Sequence, residues 1–170
     1  DYFITAEKIS KNKKLNGLIF PSGSGVAIEI YESLKNHKDI KLIFANSEKI
    51  SQTNNLIETK YYNMPILSED TLQELIKYIN NIILKEDVDF IVPTMDICHF
   101  YLSKVSDQIN CKIITSSFNT NKICINKEKT YNYLNSHVKC PTILSIDEEI
   151  YYPVFVKPKQ GYSSKDCYII

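Results

Sequence analysis

The residues of this chain best suited to chemistry lie near its end, in Tyr152-Pro153-Val154-Phe155-Val156-Lys157-Pro158 and the Lys159-Gln160-Gly161-Tyr162-Ser163-Ser164-Lys165 that follows. Val154, Phe155 and Val156 form a short apolar run that favours a strand. Pro158 ends it, because proline lacks an amide hydrogen and holds the preceding Lys157 in an extended conformation. Lys157 is thereby delivered at a fixed point, one ammonium at the end of a strand. Gly161 opens backbone geometries closed to other residues, and Ser163 and Ser164 add hydroxyls and amides of the kind that cradle phosphate oxygens. Strand, lysine and small-residue loop together are suited to holding phosphate; a strand followed by a solvated hairpin is the plainer alternative.

Two further segments carry polar groups at the ends of apolar runs. Ser22-Gly23-Ser24-Gly25 follows the strand-like residues 17–20, as a dinucleotide-binding turn would, but Ile28 stands where the third glycine belongs. The next strand ends in Ala45-Asn46 without the acid that would take a ribose hydroxyl, so a nicotinamide site is disfavoured. Gly23, Ser24 and Gly25 remain candidates to line a substrate cleft. Asp96 follows Pro93-Thr94-Met95 at the end of another apolar run, where open α/β sheets present ligand-facing loops. Cys98 and His99 stand beside it, yet three mixed donors within four residues do not converge readily on one ion. Asp96 reads better as a loop-fixing acid and His99 as an ordinary helical residue, so no metal site is assigned.

The elements that position these groups alternate. Residues 17–20, 41–45, 61–64, 89–92 and 112–115 read as strands, and residues 26–34, a stretch from Ser68 onward, and 97–108 as helices. Ser68 is the expected N-cap of the middle helix, with Glu69 and Asp70 in its first turn. Leu72, Leu75, Ile76, Ile79 and Ile83 form its buried stripe. Strands separated by helices in this rhythm predict a parallel, doubly wound sheet. Residues 46–60 read as loop, and 1–15, with the Lys11-Asn12-Lys13-Lys14 cluster, as a lead-in. The rhythm changes near Ser116 and Ser117. Short helices are expected at 119–124 and 127–136, the second capped by Asn126 with Tyr131, Leu134 and Val138 on one face, and then a hairpin over 154–170.

The order Asn126-Lys127, Cys140-Pro141-Thr142, Pro153-Val154-Phe155-Val156-Lys157-Pro158 and a glycine and serine loop resembles the ATP-grasp superfamily. The likeness is closest to its carbamoyl-phosphate-synthetase-like and carboxylate-amine ligase members. Asp89-Phe90-Ile91-Val92-Pro93-Thr94-Met95-Asp96 is similar to the strand and loop of the domain that precedes the ATP-grasp domain in those enzymes. The resemblance spans roughly residues 17–170. It implies an α/β fold: a Rossmann-like parallel sheet, the pre-ATP-grasp domain over residues 1–116, then the opening α+β part of an ATP-grasp domain over 117–170. It further implies that Lys127 and Lys157 approach the phosphates of ATP, with Gly161, Ser163 and Ser164 in the adjoining loop. Magnesium ligands are implied beyond residue 170, and no catalytic residue within the chain. A small carboxylate, activated as an acyl phosphate for attack by an amine or similar nucleophile, is the implied substrate. An incomplete piece of such a ligase is expected to be inactive and to bind ATP weakly. Tyr162 and Asp166 stand where the family pattern is richer in glycine; a noncatalytic Rossmann-like ligand-binding or interaction module is the alternative they motivate.

Composition narrows the classes further. The 170 residues carry 20 basic and 20 acidic side chains, so no net field draws nucleic acid or an anionic membrane. All 20 basic residues are lysine, which leaves phosphate to ammonium groups and backbone amides in place of the arginine fork. The 5 cysteines are odd in number and widely spaced, which predicts reduced, mostly buried thiols in a cytoplasmic protein. No apolar run reaches the length of a transmembrane helix.

Overall fold

The computed structural model describes residues 14–48, 60–161 and 164–170. It divides into two compact units, one ending at Thr115 and the other spanning Ser116–Ile170. In the first, the elements run β1 (Leu15–Phe20), α1 (Gly25–Leu34), β2 (Ile40–Asn46), β3 (Tyr61–Asn63), α2 (Leu72–Glu86), β4 (Phe90–Pro93), α3 (Asp96–Lys104), a 3-10 turn at Ser106–Gln108 and β5 (Lys112–Ile113). The second holds α4 (Phe118–Cys124), α5 (Lys127–Leu134), β6 (Phe155–Val156) and β7 (Tyr168–Ile169).

The five strands of the first unit form one parallel sheet in the order β3-β2-β1-β4-β5. A sheet covered on both faces needs strands apolar on both sides, and Leu18 to Phe20 and Leu42 to Ala45 are buried without interruption. Leu18, Phe20, Ile43 and Ile91 pack with Leu75 and Ile79 of α2 and Leu102 of α3. On the opposite face Ile19, Leu42 and Phe44 meet Ala27, Ile30 and Tyr31 of α1, with Tyr31 edge-on to Phe44 at 5.9 Å between ring centroids. This is the doubly wound arrangement that the alternation predicts. Gly17 sits on the α1 face opposite Phe90 in the register. A Cβ there would lie 2.5 Å and 2.6 Å from two carbons of the Phe90 ring, so the glycine makes room for the aromatic.

Several boundaries differ from the expected ones. β1 begins at Leu15 rather than Gly17, shortening the lead-in, of which residues 1–13 lie outside the described residues. So do 49–59 of the loop expected over 46–60. Thr71, not Ser68, precedes α2. The Ser68 and Thr71 hydroxyls bond each other at 2.9 Å and each accepts the other's amide, which closes a turn ahead of the helix. The helix expected over 97–108 stops at Lys104, because Val105 leaves helical geometry (φ −117°, ψ 23°) while its side chain enters the core. α5 ends at Leu134, leaving Val138 exposed beyond it.

The C-terminal end of α2 carries a buried carboxylate. The Glu86 side chain is 4% exposed, lies 2.6 Å from Lys60 and 3.6 Å from Lys41, and accepts the Tyr62 hydroxyl. Hydrogen bonds from Lys60 and Tyr62 hold its carboxyl below the usual range, and burial, followed by the Glu86 contact, raises the Tyr62 phenol. This cluster ties β2 and β3 to α2.

The second unit is built differently. Among its described residues only Asn121 is buried, its side-chain amide donating to Ser116 O at 3.0 Å. β6 and β7 form an antiparallel pair extended by reciprocal backbone bonds between Val154 and Ile170, as the hairpin expectation required. Its large apolar side chains remain largely exposed, Ile146 at 90% and Tyr151 at 78%.

Candidate functional site

In the second unit, α5 and β6 bring two lysines to one cleft. Asn126 caps α5, its side-chain oxygen accepting the Lys129 amide at 3.0 Å, and this fixes Lys127 as the first helical residue. The Lys127 amide donates to Lys159 O at 2.9 Å, and its Nζ donates to Gly161 O at 3.0 Å. One residue therefore ties the helix start to the loop after β6 twice. Lys157 leaves β6 half-buried; its Nζ donates to the Tyr131 hydroxyl and lies 4.8 Å from the Tyr131 ring centroid and 5.9 Å from that of Phe155.

The cleft has a volume of about 590 Å³. Lys127, Glu128, Tyr131, Thr142, Ser145, Lys157 and Lys159 supply its polar lining, while Pro141, Ile143, Leu144, Ile146, Ile150, Val154 and Val156 make an aliphatic wall. Lys159 pairs with Glu128 at 2.6 Å. Lys127 and Lys157 have no carboxylate partner among the described residues; neutral oxygens hold both. Three lysines against one glutamate leave the lining with a net charge of +2. Such a site attracts anions. An ammonium bonded to a carbonyl or a phenol keeps its full charge and its remaining donors for a ligand.

The loop beyond Lys157 departs from its expected geometry. Gly161 does not adopt a positive φ, and a Cβ there would make ordinary 3.5 Å contacts with Pro158. The left-handed residues are instead Ser164 (φ 55°) and Asp166 (φ 57°), so the conformations suited to glycine are taken by a serine and an aspartate. Ser164 is exposed, whereas Ser163 and Tyr162 lie outside the described residues.

The remaining candidates belong to the first unit. Ser24 caps α1, accepting the Ala27 amide at 3.2 Å, and Gly25 is the first helical residue. Gly23 is exposed, and a Cβ on Gly25 would meet nothing within 4 Å, so no neighbour requires the second glycine. Asp96 is exposed in the first turn of α3. The two segments leave neighbouring strands, and Thr94 joins them by donating its amide to Phe20 O at 3.0 Å and its hydroxyl to Pro21 O. At this sheet edge Ser22 Oγ and Asn46 Nδ2 are buried without a partner among the described residues. His99 shares a 2.8 Å hydrogen bond between Nδ1 and the Thr115 hydroxyl; burial lowers its pKa, against the opposing charge of Asp96.

The cysteines correct the composition reading. Only Cys98 is buried, its thiol pushed up to about 12; Cys111, Cys140 and Cys167 are half-buried and Cys124 is exposed. The second unit offers one buried position among its described residues, Asn121, which is why Cys124, Cys140 and Cys167 reach solvent. Among the described residues no group of three or more His, Cys, Asp or Glu side chains converges, and no helix is long and apolar enough to cross a membrane.

Sequence reasoning placed Tyr131 on an apolar face and missed its hydroxyl as the partner of Lys157. Its place four residues after Lys127 puts both on one helix face, a spacing that bears on the shared cleft and carries no sign of Lys157. The aliphatic wall over residues 141–146, which has no secondary structure, carried no periodic signal.

No protein-family model matches the chain, and no curated protein sequence does. A solved structure does: the L-amino acid ligase from Bacillus licheniformis, at a TM-score of 0.62 and 19% identity, over 89% of this chain. The chain spans 39% of the length of that protein. At this identity the likeness shows the fold alone: an α/β chain with a Rossmann-like parallel sheet, and a smaller α+β unit after it.

Proposed function

We propose that this chain is part of an ATP-dependent ligase of the ATP-grasp type, and that the cleft between α5 and β6 holds the phosphates of ATP. One observation carries this reading: the ammonium groups of Lys127 and Lys157 line one cleft, each held by a neutral oxygen and neither paired with a carboxylate of the described residues. Cations so placed stabilise a polyphosphate and the charge that moves between its oxygens. Gly161 and Ser164 sit in the adjoining loop, and the aliphatic wall suits the face of a nucleobase.

In this reading the first unit is the pre-ATP-grasp domain and the second the start of the ATP-grasp domain. Glu128, the cleft's one carboxylate, is engaged by Lys159, so the magnesium that accompanies ATP is not assigned to residues of this chain. The reaction is the attack of a carboxylate oxygen on the terminal phosphorus of ATP, which breaks the bond to ADP and forms an acyl phosphate. An amine or similar nucleophile then displaces phosphate from the acyl carbon. Amino acids are the favoured carboxylates, a proposal drawn from the substrate named for the structural neighbour. Gly23, Ser24, Gly25 and Asp96, on one sheet edge of the first unit, are candidates to line the carboxylate's site. Aspartate at the left-handed position 166 favours the second reading, a noncatalytic ligand-binding module; ADP formation by the whole protein separates the two.

Titration of ATP against the chain, followed by phosphorus NMR, tests the site. Weak binding is expected, and Lys157→Ala should weaken it by tenfold or more, on the order of one charge-assisted hydrogen bond. Equal affinity in the variant removes Lys157 from the site.

A further inference from the structure

We propose that Tyr131 is a positioning residue, whose phenol holds the Lys157 ammonium aimed at an anionic ligand of the cleft. The proposal rests on the reading of the cleft as a polyphosphate site and extends it to a residue that bears no charge. Lys157 reaches the cleft on a flexible four-carbon stem, and an unrestrained lysine loses considerable rotamer freedom when a ligand fixes it. Here that freedom is already restricted. Nζ donates to the Tyr131 hydroxyl, lies 4.8 Å from the same ring's centroid, and has the Phe155 ring centroid 5.9 Å away.

The choice of a phenol matters. An aspartate or glutamate in its place would hold the amine as firmly and cancel its charge. Tyr131 takes one of the three ammonium donors and leaves two, with the charge intact. Tyr131 also stands one helical turn beyond Lys127 on α5. One helix face therefore sets the place of both ammonium groups, Lys127 directly and Lys157 through the phenol.

The test is a double-mutant cycle on the chain, with inorganic tripolyphosphate and ATP as probes and binding read by calorimetry. Tyr131→Phe keeps the ring and removes the oxygen; it should weaken tripolyphosphate binding about fivefold, the scale of the net contribution of one hydrogen bond. In the Lys157→Ala background the same change should cost nothing further. A loss of equal size in both backgrounds would mean that Tyr131 acts through packing, which overturns the proposal, as would unchanged binding in Tyr131→Phe alone. If Lys157→Ala itself binds tripolyphosphate as wild type does, the site reading falls and the positioning role with it. If Lys157→Ala weakens binding and Tyr131→Phe does not, the site stands and only the positioning role is lost. Side-chain NMR of the unmutated chain supplies a readout independent of variant folding: contacts between the Lys157 ε-methylene and the Tyr131 ring should persist with tripolyphosphate bound. Their disappearance refutes the proposal.

Discussion

Gly17→Ala is the change whose cost follows most directly from distances. The added methyl would stand 2.5 Å and 2.6 Å from the far carbons of the Phe90 ring, and 3.3 Å from a third. The first two are closer than carbon atoms tolerate and the third is tight, so the ring must move. Gly17 is buried in the central strand β1 and paired to both β2 and β4, which leaves its backbone little room to yield. Phe90 is only half-buried and can swing outward at the expense of its packing on the α1 face. Overpacking of this kind costs about 1–3 kcal/mol. Against it, Gly17 does not have a positive φ, so alanine suits the backbone and contributes about 0.4–1 kcal/mol by restricting the unfolded chain. The net expectation is a loss of roughly 1–2 kcal/mol, read as a lower urea midpoint at constant slope. The same substitution in a Phe90→Ala background meets no ring, and there it should be neutral or stabilising. If Gly17→Ala costs equally in both backgrounds, the glycine is required for a reason other than the aromatic, and the steric argument fails.

Acid should weaken the first unit in two stages. Folding favours neutral His99 and charged Glu86, so protonation of either favours the unfolded chain. The stability each confers is present above its ordinary value and lost as pH falls, His99's below 6.5 and Glu86's below 4.5. Urea midpoints measured against pH should lose the upper step in His99→Gln and the lower in Glu86→Gln; unaltered profiles would contradict the assignment. Ser22→Ala removes a buried hydroxyl that has no partner among the described residues and should be neutral or stabilising by about 1 kcal/mol in thermal unfolding, whereas a clear loss would reveal a further partner, water or ligand on that oxygen. Iodoacetamide at mildly alkaline pH should label exposed Cys124 far faster than Cys98 or Cys111, whose thiols burial pushes up to about 12 and about 11. Peptide mass spectrometry gives the order, and rapid labelling of Cys98 in the native chain would count against the packing of α3.

The first unit was readable because its physics is repetitive. Leu18-Ile19-Phe20 and Leu42-Ile43-Phe44-Ala45 are too apolar to sit anywhere but inside a sheet covered on both faces, and the α2 stripe has one face to bury. Element ends were less legible, since they depend on single local contests: the mutual bonding of Ser68 and Thr71 delays α2, and burial of Val105 ends α3. The cleft was legible in its lysines and not in their holders. Lys157 and Tyr131 are 26 residues apart, and nothing local to either says that a phenol meets an amine. Gly161 misled for a related reason, because a glycine marks where unusual geometry is permitted, and the chain placed it at Ser164 and Asp166 instead.

Lys127 is fastened to the same loop by two atoms of different kinds, its amide to residue 159 and its ammonium to residue 161. Two donors of that ammonium stay free among the described residues, so an incoming anion can bind without breaking either tie. Occupancy of the cleft would therefore add to the fastening between α5 and the segment after β6 instead of competing with it.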